Sequence, residues 1–145
     1  MRISQVLAGK SSPNVVTVRP DATVRELLAL LARHNIGAVI VSEDGSSLDG
    51  IVSERDVVRR LNEDNAVVDA PVSTIMTAEV RTATTDQNVV ELLQLMTEHR
   101  FRHVPVVQGG KVTGIVSIGD ILKSRMSELE FERDQLDSYV HGAQT

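Results

Sequence analysis

One seven-residue stretch decides how this chain is to be interpreted, because it occurs twice. Gly50-Ile51-Val52-Ser53-Glu54-Arg55-Asp56 returns as Gly114-Ile115-Val116-Ser117-Ile118-Gly119-Asp120, with five of the seven positions identical. Upstream, residues 23–41 align with residues 88–106 at a displacement of 65 positions. An internal repeat of this length indicates two copies of one supersecondary unit. Any ligand site is therefore expected to be duplicated or to lie between the copies.

The composition limits how such a chain can fold. Its 145 residues suit one compact unit or two very small ones. A copy of about 60 residues buries little apolar surface by itself, so we expect the two halves to share one core. That core has to be aliphatic, because Phe101, Phe131 and Tyr139 are the only aromatic residues. The absence of cysteine removes disulfides, zinc–thiolate sites and cysteine nucleophiles together.

Charge and hydropathy exclude several classes of partner. The net charge of -5 argues against nucleic acid, because affinity for DNA comes largely from Lys and Arg neutralising phosphates. The nearest approach to a basic run is Arg55, Arg59 and Arg60, whose helical spacing favours a solvated face. No apolar run approaches the ~20 residues that a membrane span needs. The first ten residues are too mixed for a secretory signal, so we expect a soluble cytoplasmic protein.

Each copy is predicted to contain a strand, a helix, two strands and a second helix, in that order. Thr23 followed by Glu26 is a capping box that starts the first helix, and Asn88 with Glu91 gives the same start in the second copy. The residues expected to form the buried stripes are Leu27, Leu28, Leu30 and Leu31 in the first copy and Leu92, Leu93, Leu95 and Met96 in the second.

The strands are continuous apolar runs bounded by turn signals. Gly9 to Asn14 is rich in turn-forming residues, and Gln108-Gly109-Gly110-Lys111 fits a tight hairpin. The predicted strands are residues 15–18, 38–41 and 48–52 in the first copy, and 104–107 and 112–116 in the second. Residues 62–71 are the expected linker. Residues 72–76 echo residues 3–7, so each copy is expected to begin with a short helical turn.

This order of elements resembles the CBS domain family, named after cystathionine beta-synthase. The resemblance rests on Gly-Ile-Val-Ser-x-x-Asp occurring twice and on Phe101-Arg102-His103-Val104-Pro105-Val106-Val107 in the matching place. It covers residues 3–126 and is similar to a stand-alone bacterial tandem pair, the Bateman module. It implies an α+β fold in which two β-α-β-β-α motifs are related by pseudo-two-fold symmetry. The implied division is 3–62 for motif 1, 72–126 for motif 2 and 127–145 for a C-terminal helical extension.

The repeated Gly-x-x-Ser-x-x-Asp motif has chemistry that suits a nucleotide. Its Gly allows a backbone or a flat ligand to approach closely. Its Ser lies where a strand ends and a helix begins, beside free N–H groups that attract phosphate. Its Asp can accept hydrogen bonds from two ribose hydroxyls. The resemblance assigns Ser53 and Ser117 to phosphate, and Asp56 and Asp120 to ribose. Ser and Asp at this spacing also make an ordinary helix start, and both interpretations can hold together.

Arg102 and His103 precede an apolar strand, where polar residues have little reason to lie unless they face a cleft. Arg offers a bidentate fork for phosphate, and His can donate a hydrogen bond in either protonation state. The first copy has Gly37 and Ala38 at these positions, so the two clefts are not equivalent. The cleft with the cationic wall is expected to bind phosphate more tightly, and the other could draw on Arg55.

The motifs and the resemblance together imply a non-catalytic sensor of AMP, ADP, ATP or NAD that requires no cofactor. The candidate nucleotide-binding residues are Thr17, Ile36, Gly37, Ala38, Ser53, Arg55, Asp56, Thr82, Arg102, His103, Pro105, Ser117 and Asp120. His34 and His99 end matching helices, where interaction with the helix dipole is a better interpretation than a metal pair. A hydrolase is the rival class, but the chain lacks a Gly-x-Ser-x-Gly elbow and its serines come in matched pairs.

The segment from Leu122 to Val140 is charged and free of glycine and proline. Its heptad-like apolar stripe comprises Leu122, Met126, Leu129, Leu136 and Val140. The stripe either folds back on its own module or meets a second chain. We predict a homodimer that acts on an unidentified downstream protein. The alternative function is a structural or adaptor dimerisation module without a physiological ligand.

Overall fold

The computed structural model describes residues 1–10 and 15–143. Most of the predicted turn-rich stretch from Gly9 to Asn14 therefore lies outside the described residues. The elements, in chain order, are α1 (Ile3–Ala8), β1 (Thr17–Val18), α2 (Val24–His34), β2 (Ala38–Val41), β3 (Gly50–Ser53), α3 (Glu54–Glu63), two 3-10 helices (Asn65–Asp69 and Val72–Thr74), α4 (Val89–His99), β4 (His103–Gln108), β5 (Lys111–Ser117) and α5 (Ile118–Ala143). The predicted α+β class is confirmed.

Each repeat builds its own small antiparallel pair of strands. In the first repeat β2 pairs with β3, and β1 joins β2 in parallel. In the second repeat β4 and β5 form a hairpin whose turn places Gly109 and Gly110 at φ angles of 59° and 77°. Left-handed φ at both turn positions is what a tight two-residue hairpin requires, so the predicted turn is confirmed. The strand expected at the start of the second repeat is reduced to a parallel bridge between Ala83 and Val106.

The helix starts follow local rules of capping. Thr23 Oγ1 accepts a hydrogen bond from the Glu26 N–H at 3.1 Å, and the Glu26 carboxylate accepts one from the Thr23 N–H at 3.4 Å. This capping box is confirmed. Asn88 instead accepts from the Val90 N–H at 2.7 Å, so α4 has a single cap rather than the predicted reciprocal pair with Glu91.

The buried faces of α2 and α4 are narrower than predicted. Leu28 and Leu95 are 38% and 36% exposed, and Leu30 and Leu93 are partly exposed. The buried residues are Val24, Leu27 and Leu31 in α2 and Val89, Leu92 and Met96 in α4. The prediction was wrong for half of its positions because it grouped consecutive leucines. Successive side chains on a helix point about 100° apart, so only positions three or four residues apart share a face.

The apolar core of the described residues consists of two clusters, one for each repeat. The expectation of one shared core was wrong. The repeats are joined instead by exchanged segments: Ile3 and Val6 of α1 are buried in the cluster of the second repeat, and Val72 and Ile75 are buried in that of the first. Each packed unit is therefore completed by residues from the other half of the sequence, which compensates for the small core of one copy.

The last helix begins in the second repeat and continues beyond it. Residues 129–142 of α5 are all exposed, including Leu129, Phe131 and Leu136. The alternative in which this segment folds back on its own module is therefore wrong. Across the described ranges, no helix has the length and apolar character needed to cross a membrane.

Candidate functional site

A cleft of about 590 Å³ lies between the two repeats. One wall comes from β2, β3 and α3 of the first repeat. The other comes from residues 77–81 and from the connection between α4 and β4. The residues that line it are Gly37, Ala38, Ile51, Ser53, Glu54, Arg55, Asp56, Arg59, Thr77, Glu79, Val80, Arg81, His99, Arg100, Phe101, Arg102 and His103.

The Ser and Asp of each repeated motif form a reciprocal cap where a strand meets a helix. Ser53 Oγ accepts from the Asp56 N–H at 3.3 Å, and Asp56 Oδ2 accepts from the Ser53 N–H at 2.9 Å. Ser117 and Asp120 repeat the arrangement at 3.0 and 2.9 Å. The predicted helix-start role is thus confirmed. It also holds the Asp56 carboxylate at a defined place in the cleft wall, at the positive end of the α3 dipole.

The cleft joins residues that the sequence analysis had assigned to two different sites. Arg102 and His103 lie in the same cleft as Ser53 and Asp56. A Cβ placed on Gly37 would be 3.6 Å from His103 Cε1. The starts of β2 and β4, which are equivalent strands of the two repeats, therefore meet, as equivalent elements near a two-fold axis do. The prediction that the cationic wall belongs to one cleft and the Gly37 wall to another was wrong.

The candidate residues therefore divide into two groups. Those in the cleft are Gly37, Ala38, Ser53, Arg55, Asp56, Arg102 and His103; those outside its lining are Thr17, Ile36, Thr82, Pro105, Ser117 and Asp120. Thr17 pairs with Ile40 in the sheet, and the buried Pro105 uses its carbonyl to accept from the Ala83 N–H at 3.0 Å. Both have roles in the backbone pairing of their repeats.

The carboxylate of Asp120 is engaged by a distant lysine. Lys10 Nζ lies 3.1 Å from Asp120 Oδ2 and donates to the Ile115 carbonyl at 2.7 Å. Partial burial opposes ionisation of Asp120, but hydrogen bonds from Ser117 and Lys10 outweigh it and lower the pKa of the carboxyl. The two motifs are therefore unequal, because Asp56 lines an open cleft while Asp120 is already paired.

Arginine dominates the charge of the cleft. The five arginines that line it in the described structure are Arg55, Arg59, Arg81, Arg100 and Arg102, against the carboxylates of Glu54, Asp56 and Glu79. The ion pairs found among the described residues include none of the five, whereas Arg19 and Arg25 elsewhere each contact an aspartate. Like charges gathered without ion-pair partners focus a positive potential, so the cleft of this acidic protein favours an anion over a cation.

Sequence reasoning missed part of this cluster. It assigned Arg59 to a solvated face, and it did not consider Arg81 or Arg100. The available signal was the spacing of Arg55 and Arg59, which are four residues apart and share a face of α3. Arg60, by contrast, donates to the Thr74 carbonyl at 3.3 Å, away from the cleft. The sequence around Arg81 and Arg100 gives no indication that these residues line the cleft.

Two histidines complete the cleft wall. Burial lowers the pKa of His103 and so favours the neutral imidazole, although the charges of Asp120 and Glu54 oppose the shift. His99 lies in the last turn of α4, as the dipole interpretation requires, and its ring stacks on Phe101 with centroids 6.0 Å apart. Among the residues described, no group of three or more His, Cys, Asp or Glu side chains is placed to hold a metal ion.

Comparison with known proteins identifies the family. The CBS domain model matches residues 3–63 and 72–127, so the chain belongs to the CBS domain family and carries the domain as a tandem pair. The CBS domain-containing protein YhcV of Bacillus subtilis is 34% identical over 113 residues, which cover 78% of this chain and 80% of that protein. A protein with CBS domains from Burkholderia ambifaria MC40-6 superposes with a TM-score of 0.82 at 39% identity, covering 88% of this chain and 95% of that one.

Two similar structures contain ligands. PAE2072 from Pyrobaculum aerophilum, complexed with AMP, has a TM-score of 0.72 and 28% identity over 83% of this chain and 89% of its own. The CBS domain pair of MJ0100, in complex with 5'-methylthioadenosine and S-adenosyl-L-methionine, has a TM-score of 0.75 and 25% identity over 85% of this chain and 98% of its own. All three ligands contain an adenosine group.

Proposed function

We propose that this protein is a non-catalytic regulatory module that binds an adenine nucleotide in the cleft between its repeats. One observation carries the proposal: the cleft combines the Ser53–Asp56 helix start with unpaired arginines on the facing wall. The adenosine-containing ligands of two relatives support it.

In this proposal the sugar and the first phosphate bind at opposite sides of the start of α3. Asp56 uses Oδ2 for the Ser53 cap, and a carboxylate has acceptor sites on both oxygens, so it can also accept from ribose hydroxyls. The first phosphate lies toward Arg102 and His103. Arg102 supplies a fixed positive charge, and the neutral His103 supplies one N–H donor.

The base is proposed to bind between backbone and flat side chains. Gly37 and Ala38 bring backbone with little side-chain bulk to the cleft at the start of β2. The Gly37 carbonyl accepts from the Glu54 N–H at 2.9 Å, and its second lone pair remains for a ligand. The His99–Phe101 stack offers an aromatic surface on the other wall. Stacking tolerates any base, so hydrogen bonds to the backbone would give the preference for adenine.

Exposed apolar side chains support the proposal of a homodimer. The repeats expose Leu28, Val58, Leu61, Val90, Leu95, Leu122 and Met126, and the extension of α5 exposes Leu129, Phe131, Leu136, Tyr139 and Val140. Clustered exposed apolar residues mark interaction surfaces, and two-fold association would cover the same set on both chains. The same surface supports the alternative of an adaptor without a ligand. The following experiment distinguishes the adaptor from the nucleotide sensor.

The experiment compares ligand binding in two matched variants. AMP, ADP, ATP, NAD and S-adenosylmethionine are titrated into the native chain by calorimetry, with thermal unfolding measured in parallel. A true ligand at ~100 times its dissociation constant stabilises the native state by about 2.7 kcal/mol. Asp56→Asn keeps an acceptor for the Ser53 cap but removes the charge, and it should weaken binding by on the order of 10- to 100-fold.

Asp120→Asn is the control, because it makes the same change at the matching position outside the cleft lining. It should weaken binding in the cleft far less than Asp56→Asn does, because Asp120 acts there only through its charge on His103. No heat and no thermal shift with any of the five ligands would reject the sensor function and favour the adaptor. Ligand recovered unchanged after incubation supports a binding module, and turnover would reject the non-catalytic assignment.

A further inference from the structure

The five arginines of the cleft outnumber the three terminal oxygens of one phosphate group. Resting on the nucleotide function proposed above, we propose that Arg59, Arg81 and Arg100 form a subsite for the second and third phosphates of a nucleoside polyphosphate. The site would then prefer a triphosphate to a diphosphate, and a diphosphate to AMP. It would reject S-adenosylmethionine, whose sulfonium centre is positively charged.

The arrangement of these residues in the fold supports convergence on one anion. Arg59 is one helical turn beyond Arg55 on α3, so both side chains lie on the face that lines the cleft. Arg81 comes from the segment that leads to the Ala83 bridge. Arg100 ends α4. Three separate elements thus bring positive charge to one cleft, and none of these three arginines has an ion-pair partner among the described residues.

The backbone at Arg100 gives an independent indication. Arg100 has φ 57° and ψ 38°, which is the left-handed region. Its counterpart in the first repeat, Asn35, has φ 51° and ψ 50°. Asn adopts this conformation readily, whereas a long side chain such as Arg does so with strain. Strained residues concentrate at functional sites. The second repeat therefore keeps an unfavourable residue at a helix end that faces the cleft.

The number of guanidinium groups, rather than the net charge of the cleft, favours more than one phosphate. The five cleft arginines face three carboxylates, Glu54, Asp56 and Glu79. These charges sum to about +2, which the two negative charges of AMP at pH 7 would already balance. Guanidinium groups bind phosphate oxygens in bidentate fashion, so additional phosphates would engage arginines that AMP leaves unpaired.

The test replaces Arg100 by the residue of the first repeat. Arg100→Asn should fold at least as stably as the native chain, because Asn suits the left-handed conformation, and the melting temperature checks this. Its affinity for ATP should fall by about tenfold or more, while its affinity for AMP changes by less than about twofold. The matched control is Arg33→Asn near the end of α2, which lies outside the cleft lining and should leave both affinities unchanged.

The outcomes separate this inference from the proposed function. If native protein binds AMP and ATP equally, or if Arg100→Asn weakens both equally, the polyphosphate subsite is wrong while nucleotide binding stands. If no adenine nucleotide binds, inorganic tripolyphosphate is titrated. Binding that Arg100→Asn weakens would retain the polyphosphate subsite and reject the nucleotide function, and absence of binding would reject both. A steeper salt dependence of affinity for ATP than for AMP is also required.

Discussion

Gly50 and Gly114 occupy the same position in the two repeats, but a methyl group added to each would meet different neighbours. At Gly50 the new Cβ would lie 2.7 Å from the Thr77 carbonyl oxygen and 2.8 Å from Met76 Sδ. At Gly114 its nearest neighbour would be Leu7 Cδ2, at 2.8 Å. Substitution of each glycine by alanine therefore tests what determines the loss of stability: the atom that the new methyl group contacts, or the position of the glycine in the motif.

The expected magnitudes follow from how easily each neighbour can move. The Thr77 backbone is held against Ile51 by two hydrogen bonds of 3.0 and 2.9 Å, so it cannot retreat without weakening both. Overpacking costs about 1–3 kcal/mol, and a weakened hydrogen bond adds about 1 kcal/mol. Alanine offsets about 0.4–1 kcal/mol of this loss, because it reduces the conformational entropy of the unfolded chain. Gly50→Ala should therefore destabilise the protein by about 2–3 kcal/mol. Gly114→Ala should cost less than about 1 kcal/mol, because the end of Leu7 can rotate away.

Urea unfolding of the native chain and the two variants measures both values. The slope of free energy against urea should be the same for all three, so that differences in midpoint report stability alone. For a chain of this size Gly50→Ala should lower the melting temperature by roughly 5–10 °C. Equal destabilisation by the two substitutions, or a larger effect at Gly114, would refute the argument that the rigid Thr77 backbone decides the cost.

Two further predictions concern the second motif and the assembly. Lys10→Met removes an ion pair whose groups are 25% and 27% exposed, together with the hydrogen bond to the Ile115 carbonyl. It should cost about 1–3 kcal/mol, because these groups are largely shielded from solvent. By freeing Asp120 it should raise the number of adenine nucleotides bound per chain in calorimetry, and an unchanged number would show that Lys10 does not block this motif. Removal of residues 127–145 should weaken the proposed dimer without changing nucleotide affinity. Light scattering decides this, and a monomeric full-length chain at micromolar concentration would contradict it.

The sequence by itself determined the features that depend on residues close together in the chain. The repeat, the Thr23–Glu26 and Ser53–Asp56 helix starts and the hairpin at Gly109 and Gly110 each arise within about four residues, where backbone geometry and capping leave few alternatives. The buried strands were also evident from continuous apolar runs. The buried faces of helices were harder to predict, because a run of adjacent leucines does not show which of them faces the core. Leu28 and Leu95 were predicted to be buried, but both are exposed.

Only the tertiary structure decided how the two copies combine. The burial of α1 in the second repeat joins Ile3 and Val6 to residues from Ala83 onward in the sequence. The contact between Lys10 and Asp120 is equally remote. The shared cleft depends on the same packing, because the pseudo-two-fold relation brings His103 close to Gly37 and places Arg81 and Arg100 in one cleft with the start of α3. Local sequence specifies each element, whereas the relative placement of the elements follows from which apolar faces cover one another, and that is a property of the whole chain.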